Sequence, residues 1–207
     1  MQPIAIPAAN HDDHPDLIDA MFRLRASVFK DRLGWDVPVA DGRDIDAFDR
    51  LGPTYILAVA CDGCVFGCVR LLPSTGDTMV AAMFPDLLAD GTYSPHPTMV
   101  ESSRFCVDTS FCEGRGAGSL HDVTLTMFAA IIEWSMANGY TELVTGTDLR
   151  IERILKRAGW PMTRVGEPRP IGNTMSVVGK LPTDQTSLEN VRPEGYRPIR
   201  PAHRRAT

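Results

Sequence analysis

Between Tyr55 and Leu72 the chain is apolar at every position except Asp62 and Arg70. Asp62-Gly63 is a hairpin turn signal, so residues 55–60 and 64–72 read as two antiparallel strands. Cys61 and Cys64 would then face each other across the hairpin as small buried thiols. Arg70 is the exception inside the second strand. A buried guanidinium requires carboxylate partners, because an unpaired buried charge costs several kcal/mol.

The rest of the chain alternates helix and strand. Residues 13–33 form a helix with Leu17, Met21, Leu24 and Val28 on one stripe and Arg25 and Phe29 on a second, stopped by Gly34. Residues 36–53 are rich in Asp and Gly and read as a long loop. A short helix is expected over 79–88 and a strand over Met99–Val107. The Gly114-Arg115-Gly116-Ala117-Gly118 turn opens a helix at 119–138, with Leu120, Val123, Met127 and Ile131 inward and Gly139 as the stop. A strand over 142–147 runs into Asp148, the N-cap of a helix ending at Gly159. Strands near 161–165 and 174–181 complete the pattern. Residues 1–182 thus read as one domain, and 183–207, rich in Pro and Arg, as a loosely packed tail. Strands mixed with helices imply an α/β (α+β) fold, a central mixed sheet with helices on both faces.

Composition excludes several classes. The formal net charge is −5, and no nucleic-acid reader motif is present. No apolar run reaches the ~20 residues of a membrane span. The first dozen residues lack a secretory leader, which implies the cytoplasm. Five cysteines are an odd count for a disulfide framework, and Cys61-x-x-Cys64 lacks a second pair for zinc. The five histidines are scattered, so no metal site is expected.

The strings RLRASVF, GWDV, DAFD, VRLLP, MFPDLL and ESSRFCVD occur in that order and carry Arg25, Phe29, Trp35, Asp46, Asp49, Arg70, Phe84, Glu101 and Arg104. Followed by VTGTDLRIERILKRAGWP and IGNTMSVVGKLP, they make residues 15–182 resemble the acyl-homoserine lactone synthases, the LuxI-type autoinducer synthases. The wording is similar to the agrobacterial and rhizobial branch. The resemblance implies a fold like the N-acetyltransferase (GNAT) superfamily, a three-layer α/β/α sandwich around a mixed twisted sheet. It also implies an acyltransferase of quorum sensing. A fatty acyl group, of medium length and with or without a 3-oxo group, passes from acyl carrier protein, or acyl-coenzyme A, to the amine of S-adenosylmethionine. The carboxylate then closes the lactone and expels methylthioadenosine. S-adenosylmethionine is a substrate, and no cofactor is implied.

Within that chemistry each residue type has a use. The amine must lose a proton, and Glu101 is a candidate general base, or an ion-pair partner of an arginine, with Arg104 beside it as a second catalytic candidate. Phe29, Trp35 and Phe84 suit a sulfonium and an adenine ring, although Phe84 also suits plain core packing. Arg25, Asp46, Asp49 and Arg70 join Glu101 and Arg104 in a mixed-charge cluster, whose members would satisfy one another and bind the amino-acid end of S-adenosylmethionine, unless they form a solvated surface. Glu101 and Arg104 are an odd number of residues apart, so a shared face requires a β-bulge near Ser102-Ser103. Met99, Phe105, Leu125, Met127 and Val144 are candidates for an acyl pocket or for core. Thr145 would bond a 3-oxo group or the backbone. Arg150, Arg153, Lys156 and Arg157 would dock an acidic carrier or form a solvated face. The glycine-rich turn would hold a pyrophosphate or be an ordinary turn. An N-acyltransferase using acyl-coenzyme A on another amine, and a binding module without chemistry, are the competing classes. Methylthioadenosine release separates them.

Overall fold

The computed structural model describes residues 1–88, 93–109 and 122–202. Strand β1 (Gln2–Ile6) opens the chain. It has no counterpart in the sequence reading. Helix α1 (Pro15–Ala26) starts on a proline, whose missing N–H has no intrahelical partner to lose. The expected single helix to residue 33 changes character at Ser27: Ser27–Arg32 is π-helical, with Leu33 N–H donating to Val28 O at 3.0 Å and Trp35 N–H to Phe29 O at 2.9 Å. Such widened turns concentrate at functional sites.

Within the expected long loop lie a two-residue hairpin, β2 (Val39–Ala40) and β3 (Arg43–Asp44), and a 3-10 turn at Ala47–Arg50. Asp46 caps that turn by accepting from Phe48 N–H, and Asp49 accepts from Asp46 N–H. Strands β4 (Thr54–Val59) and β5 (Val65–Pro73) form the expected hairpin. Its closing pair is Ala60 and Cys64, with Gly63 at φ +87°, so the loop holds three residues. Cys61 therefore sits in the turn and Cys64 at its base. Both are exposed, which corrects the expectation of facing, buried thiols.

Helix α2 (Met79–Met83) ends at Phe84, and a separate 3-10 turn (Pro85–Leu88) follows. The residue before a proline avoids helical geometry, which divides the expected single helix. Strand β6 (Met99–Val107) precedes α3 (Asp122–Ala137), β7 (Glu142–Asp148) and α4 (Leu149–Arg157). The Asp148 carboxylate caps α4, accepting from Arg150 and Ile151 N–H. Strands β8 (Thr163–Arg164), β9 (Arg169–Ile171) and β10 (Thr174–Pro182), helix α5 (Gln185–Val191) and strand β11 (Arg200–Pro201) follow.

The sheet runs β11-β1-β4-β5-β6-β7-β10-β8, with β9 on β10. The β1–β11 and β6–β7 pairs are parallel and the others antiparallel. Alternate residues feed two faces. Tyr55, Leu57 and Cys68 pack with Met21, Val28 and Phe29, next to α1. Ile56, Ala58, Val69 and Leu71 pack beneath α3 with Leu155 of α4 and Leu188 of α5. Helices thus cover both faces of a mixed sheet, a three-layer α/β/α arrangement.

The segment expected to be a loose tail is packed as far as residue 202. Leu188 and Val191 join the α3 core, and Ala202 N–H donates to Ala5 O at 2.8 Å. Glu133 of α3 accepts from Tyr196 Oη and Ile199 N–H. Single polar contacts of this kind leave no hydrophobic period in the sequence. Among the described residues no helix is long and apolar enough to cross a membrane.

Candidate active site

Strands β6 and β7 pair over only three positions: Met99 with Glu142, Val100 with Leu143 and Glu101 with Val144. Beyond these they part, and a cleft of about 460 Å³ opens between them. A bulge in β6 accompanies the split. Cys68 pairs with Cys106 and Arg70 with Ser103, so Arg104 and Phe105 together oppose Val69. Arg104 takes φ +54°, which is rare outside glycine. The expected bulge is therefore present, two residues further on than Ser102-Ser103. It brings Arg104 to the face that carries Glu101's partners.

Three arginines and three aspartates fill that side. Arg25 Nη1 and Nη2 donate to Asp49 at 2.7 and 3.0 Å, and its Nε to Asp44 at 3.1 Å. Arg70 Nη1 donates to Asp46 at 2.5 Å and to Asp49 at 3.0 Å, and its Nε to Ser103. Each guanidinium also lies near a ring: Arg25 near Phe22, Arg70 near Phe48 and Arg104 near Phe29, at 5.2–5.5 Å. Burial disfavours the Arg25 charge, but Asp49 and Asp44 outweigh it and raise its pKa. Burial likewise opposes the Asp49 charge, and Arg25 and Arg70 hold its carboxyl well below the usual range. Burial and Asp49, which accepts from its hydroxyl at 2.7 Å, push Tyr55 up.

Arg104 is held differently. It lies 3.1 Å from Asp44 and 2.8 Å from Asp46, close enough for attraction. Yet Arg104 Nε, Asp44 Oδ1 and Asp46 Oδ2 have no aligned hydrogen bond among the described residues. The distances report ion pairing and the angles report spare hydrogen-bonding capacity. Burial lowers the Arg104 pKa, with Asp44 opposing.

Glu101 is fully buried and lines the cleft. Its carboxylate accepts from Met79 and Val80 N–H, at 3.1 and 2.5 Å, and so holds the start of α2. Burial raises its pKa, against the pull of those two amides.

The cleft has two lobes, one on each face of the sheet. Phe29, Trp35, Met79, Phe84, Glu101 and Arg104 line the first, with Phe29 and Trp35 stacked at 5.2 Å. Phe105, Phe128, Ile131, Ile151, Ile154 and Trp160 line the second, which is apolar and lies beneath α3 and α4.

Not every sequence candidate reaches the cleft. Arg25, Asp46, Asp49 and Arg70 form the buried floor behind the first lobe and do not line it. Met99, Met127 and Val144 do not line the cleft: the first and last pack in the core around Val80 and Val178, and Met127 packs in the core under α3. Leu125 also packs on that core. Phe105 and Thr145 line the cleft, but the Thr145 hydroxyl donates to Ser102 O at 2.9 Å, so its proton is engaged by backbone. Arg150, Arg153, Lys156 and Arg157 are exposed, and Arg150 stands at the cleft rim. The Gly114–Gly118 turn, Leu120 and Cys112 lie outside the described residues. Sequence reasoning missed Asp44, which bridges Arg25 and Arg104. Its signal was alternation with Asp46 around exposed Ile45.

A polar lobe for an amine and an apolar lobe for a chain meet where a strand pair splays, which is the arrangement an N-acyltransferase needs. Residues 9–191 match the autoinducer synthase model, and the chain belongs to that family. It is 60% identical over 179 residues to an acyl-homoserine-lactone synthase of Rhizobium radiobacter, covering 86% of this chain and 84% of that one. It is 56% identical over 197 residues to a probable acyl-homoserine-lactone synthase of Sinorhizobium fredii, covering 95% of each. The solved CoA-dependent acyl-homoserine lactone synthase BjaI, with SAM and isopentyl-CoA, superposes with TM-score 0.85 at 23% identity, over 99% of this chain and 95% of that one. A putative N-acetyltransferase from Lactobacillus plantarum shares the fold at TM-score 0.56 and 16% identity, over 89% of this chain and all of that one. The enzyme is accordingly an acyl-homoserine-lactone synthase of quorum sensing, with a GNAT-like fold.

Proposed function

We propose that the enzyme takes a medium-length acyl group from acyl carrier protein, transfers it to the amine of S-adenosylmethionine, and closes the lactone with release of methylthioadenosine. The observation that carries this reading is the two-lobed cleft at the β6–β7 split. The stacked Phe29–Trp35 pair suits a sulfonium and a purine. The unaligned Nε of Arg104, which lines the lobe, suits the carboxylate of an amino acid. An acyl chain would lie in the apolar lobe, with its thioester carbonyl at the split.

Glu101 stands at that split. With a raised pKa it serves as general base for the ammonium proton, directly or through one water. Nitrogen then attacks the thioester carbon, and the carrier thiolate leaves once the tetrahedral intermediate collapses. Past Glu101 the β7-facing edge of β6 has no strand pairing, so its outward amides are available to the developing oxyanion. In the second step the substrate carboxylate oxygen attacks its own γ-carbon, the γ-carbon–sulfur bond breaks, and its electron pair goes to sulfur, so that methylthioadenosine leaves as a neutral thioether.

The exposed cations Arg150, Arg153 and Lys156, which run along α4 from the cleft rim, suit the surface of an acidic carrier. The test is mass spectrometry of purified enzyme with S-adenosylmethionine and a panel of acyl-carrier-protein and acyl-coenzyme A thioesters. Lactone with equimolar methylthioadenosine from carrier thioesters is expected. Turnover from coenzyme A thioesters alone would overturn the donor assignment, and acyl transfer without methylthioadenosine would overturn the reaction.

A further inference from the structure

Where the β6–β7 ladder ends, α2 bridges the gap. Glu101 on β6 holds the first turn of α2 through Met79 and Val80 N–H. The residue that ends α2, Phe84, is seated on β7. A Cβ at Gly146 would stand 3.1 Å from Phe84 Cδ2, 3.2 Å from Cε2 and 3.7 Å from Val178 Cγ2. The first two are tighter than ordinary van der Waals contact. Gly146 is not among the glycines at positive φ, so backbone freedom is no reason for a glycine there. Glycine within a strand weakens it and marks a close approach, and here the approaching group is the Phe84 ring.

That ring has little room to retreat, because it packs on the cluster of Val80, Leu87, Val144 and Val178, and its backbone is held as well. Phe84 N–H donates to Val80 O at 3.2 Å, and its carbonyl accepts from Leu87 N–H at 3.0 Å. Val178 stands behind Gly146 on β10. A side chain at 146 therefore drives the ring toward the cleft, which Phe84 and Gly146 both line. We propose that Gly146 is a positioning residue that seats Phe84 against β7 and so sets the width of the first lobe for S-adenosylmethionine. This rests on the assignment of that lobe to S-adenosylmethionine.

The test is a double-mutant cycle. Gly146→Ala, Phe84→Leu and the pair are compared by S-adenosylmethionine calorimetry, by steady-state kinetics with both substrates, and by urea unfolding. Gly146→Ala is expected to raise Kd and KM for S-adenosylmethionine about tenfold, since sub-ångström misplacement of a binding group has effects of that order. KM for the acyl donor stays within about twofold, and in the Phe84→Leu background the Gly146→Ala effect falls below about twofold, because the residue it acts through is gone. Equal losses in both backgrounds, or equal changes in both KM values, would overturn the proposal. Should wild-type enzyme not bind S-adenosylmethionine, the functional assignment fails instead. Coupling between the two substitutions in urea unfolding would then still decide the seating of the ring, and additivity there would refute it.

Discussion

Asp49 is the most heavily used carboxylate in the charge cluster, and Asp49→Asn measures what the cluster is for. The carboxylate accepts from Arg25 twice, from Arg70, from Tyr55 and from the Asp46 amide. An amide oxygen at the Oδ1 position keeps three of these donors. The amide nitrogen then faces Arg25 Nη2 and the Asp46 N–H, two donors against a donor. The opposite rotamer is worse, since three donors meet the nitrogen. Arg25 is fully buried and the Asp49 side chain only 3% exposed, so solvent screens little. Removing one partner of a buried pair costs roughly 3–5 kcal/mol. For a domain of this size that is a fall in Tm of about 10 °C. The folded pKa of Asp49 is depressed below its ordinary 3.8, so its contribution is present above that value and is lost as pH falls through it toward the folded pKa. Urea unfolding of both proteins should show a constant gap from about pH 8 to pH 5 that shrinks as acid protonates the wild-type carboxylate. A gap under about 1 kcal/mol at neutral pH, or one indifferent to acid, would refute a cluster built on Asp49.

Three further outcomes are expected. Glu101→Gln lowers turnover by about 10²–10⁴, and the acid limb of the wild-type kcat/KM profile lies above the ordinary glutamate value, because burial raises the Glu101 pKa. Methylthioadenosine release near wild-type rates would remove Glu101 from proton transfer. Arg153→Glu with Lys156→Glu raises KM for the acyl carrier protein in a salt-dependent way and leaves that for S-adenosylmethionine unchanged, and a parallel rise in both would dismiss α4 as a docking face. Ile154→Trp, which narrows the apolar lobe, shifts the lactones seen by mass spectrometry toward shorter acyl chains, and an unaltered product profile would take the chain out of that lobe.

What the sequence disclosed follows from where its signals are local. The β4–β5 hairpin, the Asp148 cap and the Gly139 stop are written in adjacent residues, and all three are observed. The need for a bulge was legible because strand period forbids Glu101 and Arg104 on one face, although its position was two residues out. Strand β1 and the α5–β11 segment depend on distant partners such as Ala58 and Glu133, and the π-helical turn meets Val107 and Thr109 through Arg32, so no local period announces them. The acyl candidates show the same limit. Met99 and Val144 differ from Phe105 only in which face of a splayed sheet they meet, and apolar character does not carry that information.

The split between β6 and β7 also explains the position of the charge cluster. A strand pair that stops hydrogen bonding at Glu101 loses its means of keeping a fixed spacing, yet bond formation between two substrates requires positions good to a fraction of an ångström. Buried ion pairs are a poor source of stability, because desolvation offsets most of their attraction. They are a good source of geometry, because each bidentate fork tolerates one arrangement. The cluster ties α1 through Arg25, the β3 hairpin through Asp44, the 3-10 turn through Asp49, β5 through Arg70 and β6 through Arg104 into one floor under the first lobe. Of its unaligned atoms, Arg104 Nε belongs to a residue that lines the first lobe, where a bound amino acid could satisfy it. On this account, loss of Asp49 should disturb S-adenosylmethionine binding through the floor even where the protein remains folded, whereas the apolar lobe, built on the α3 core, should keep its acyl selectivity.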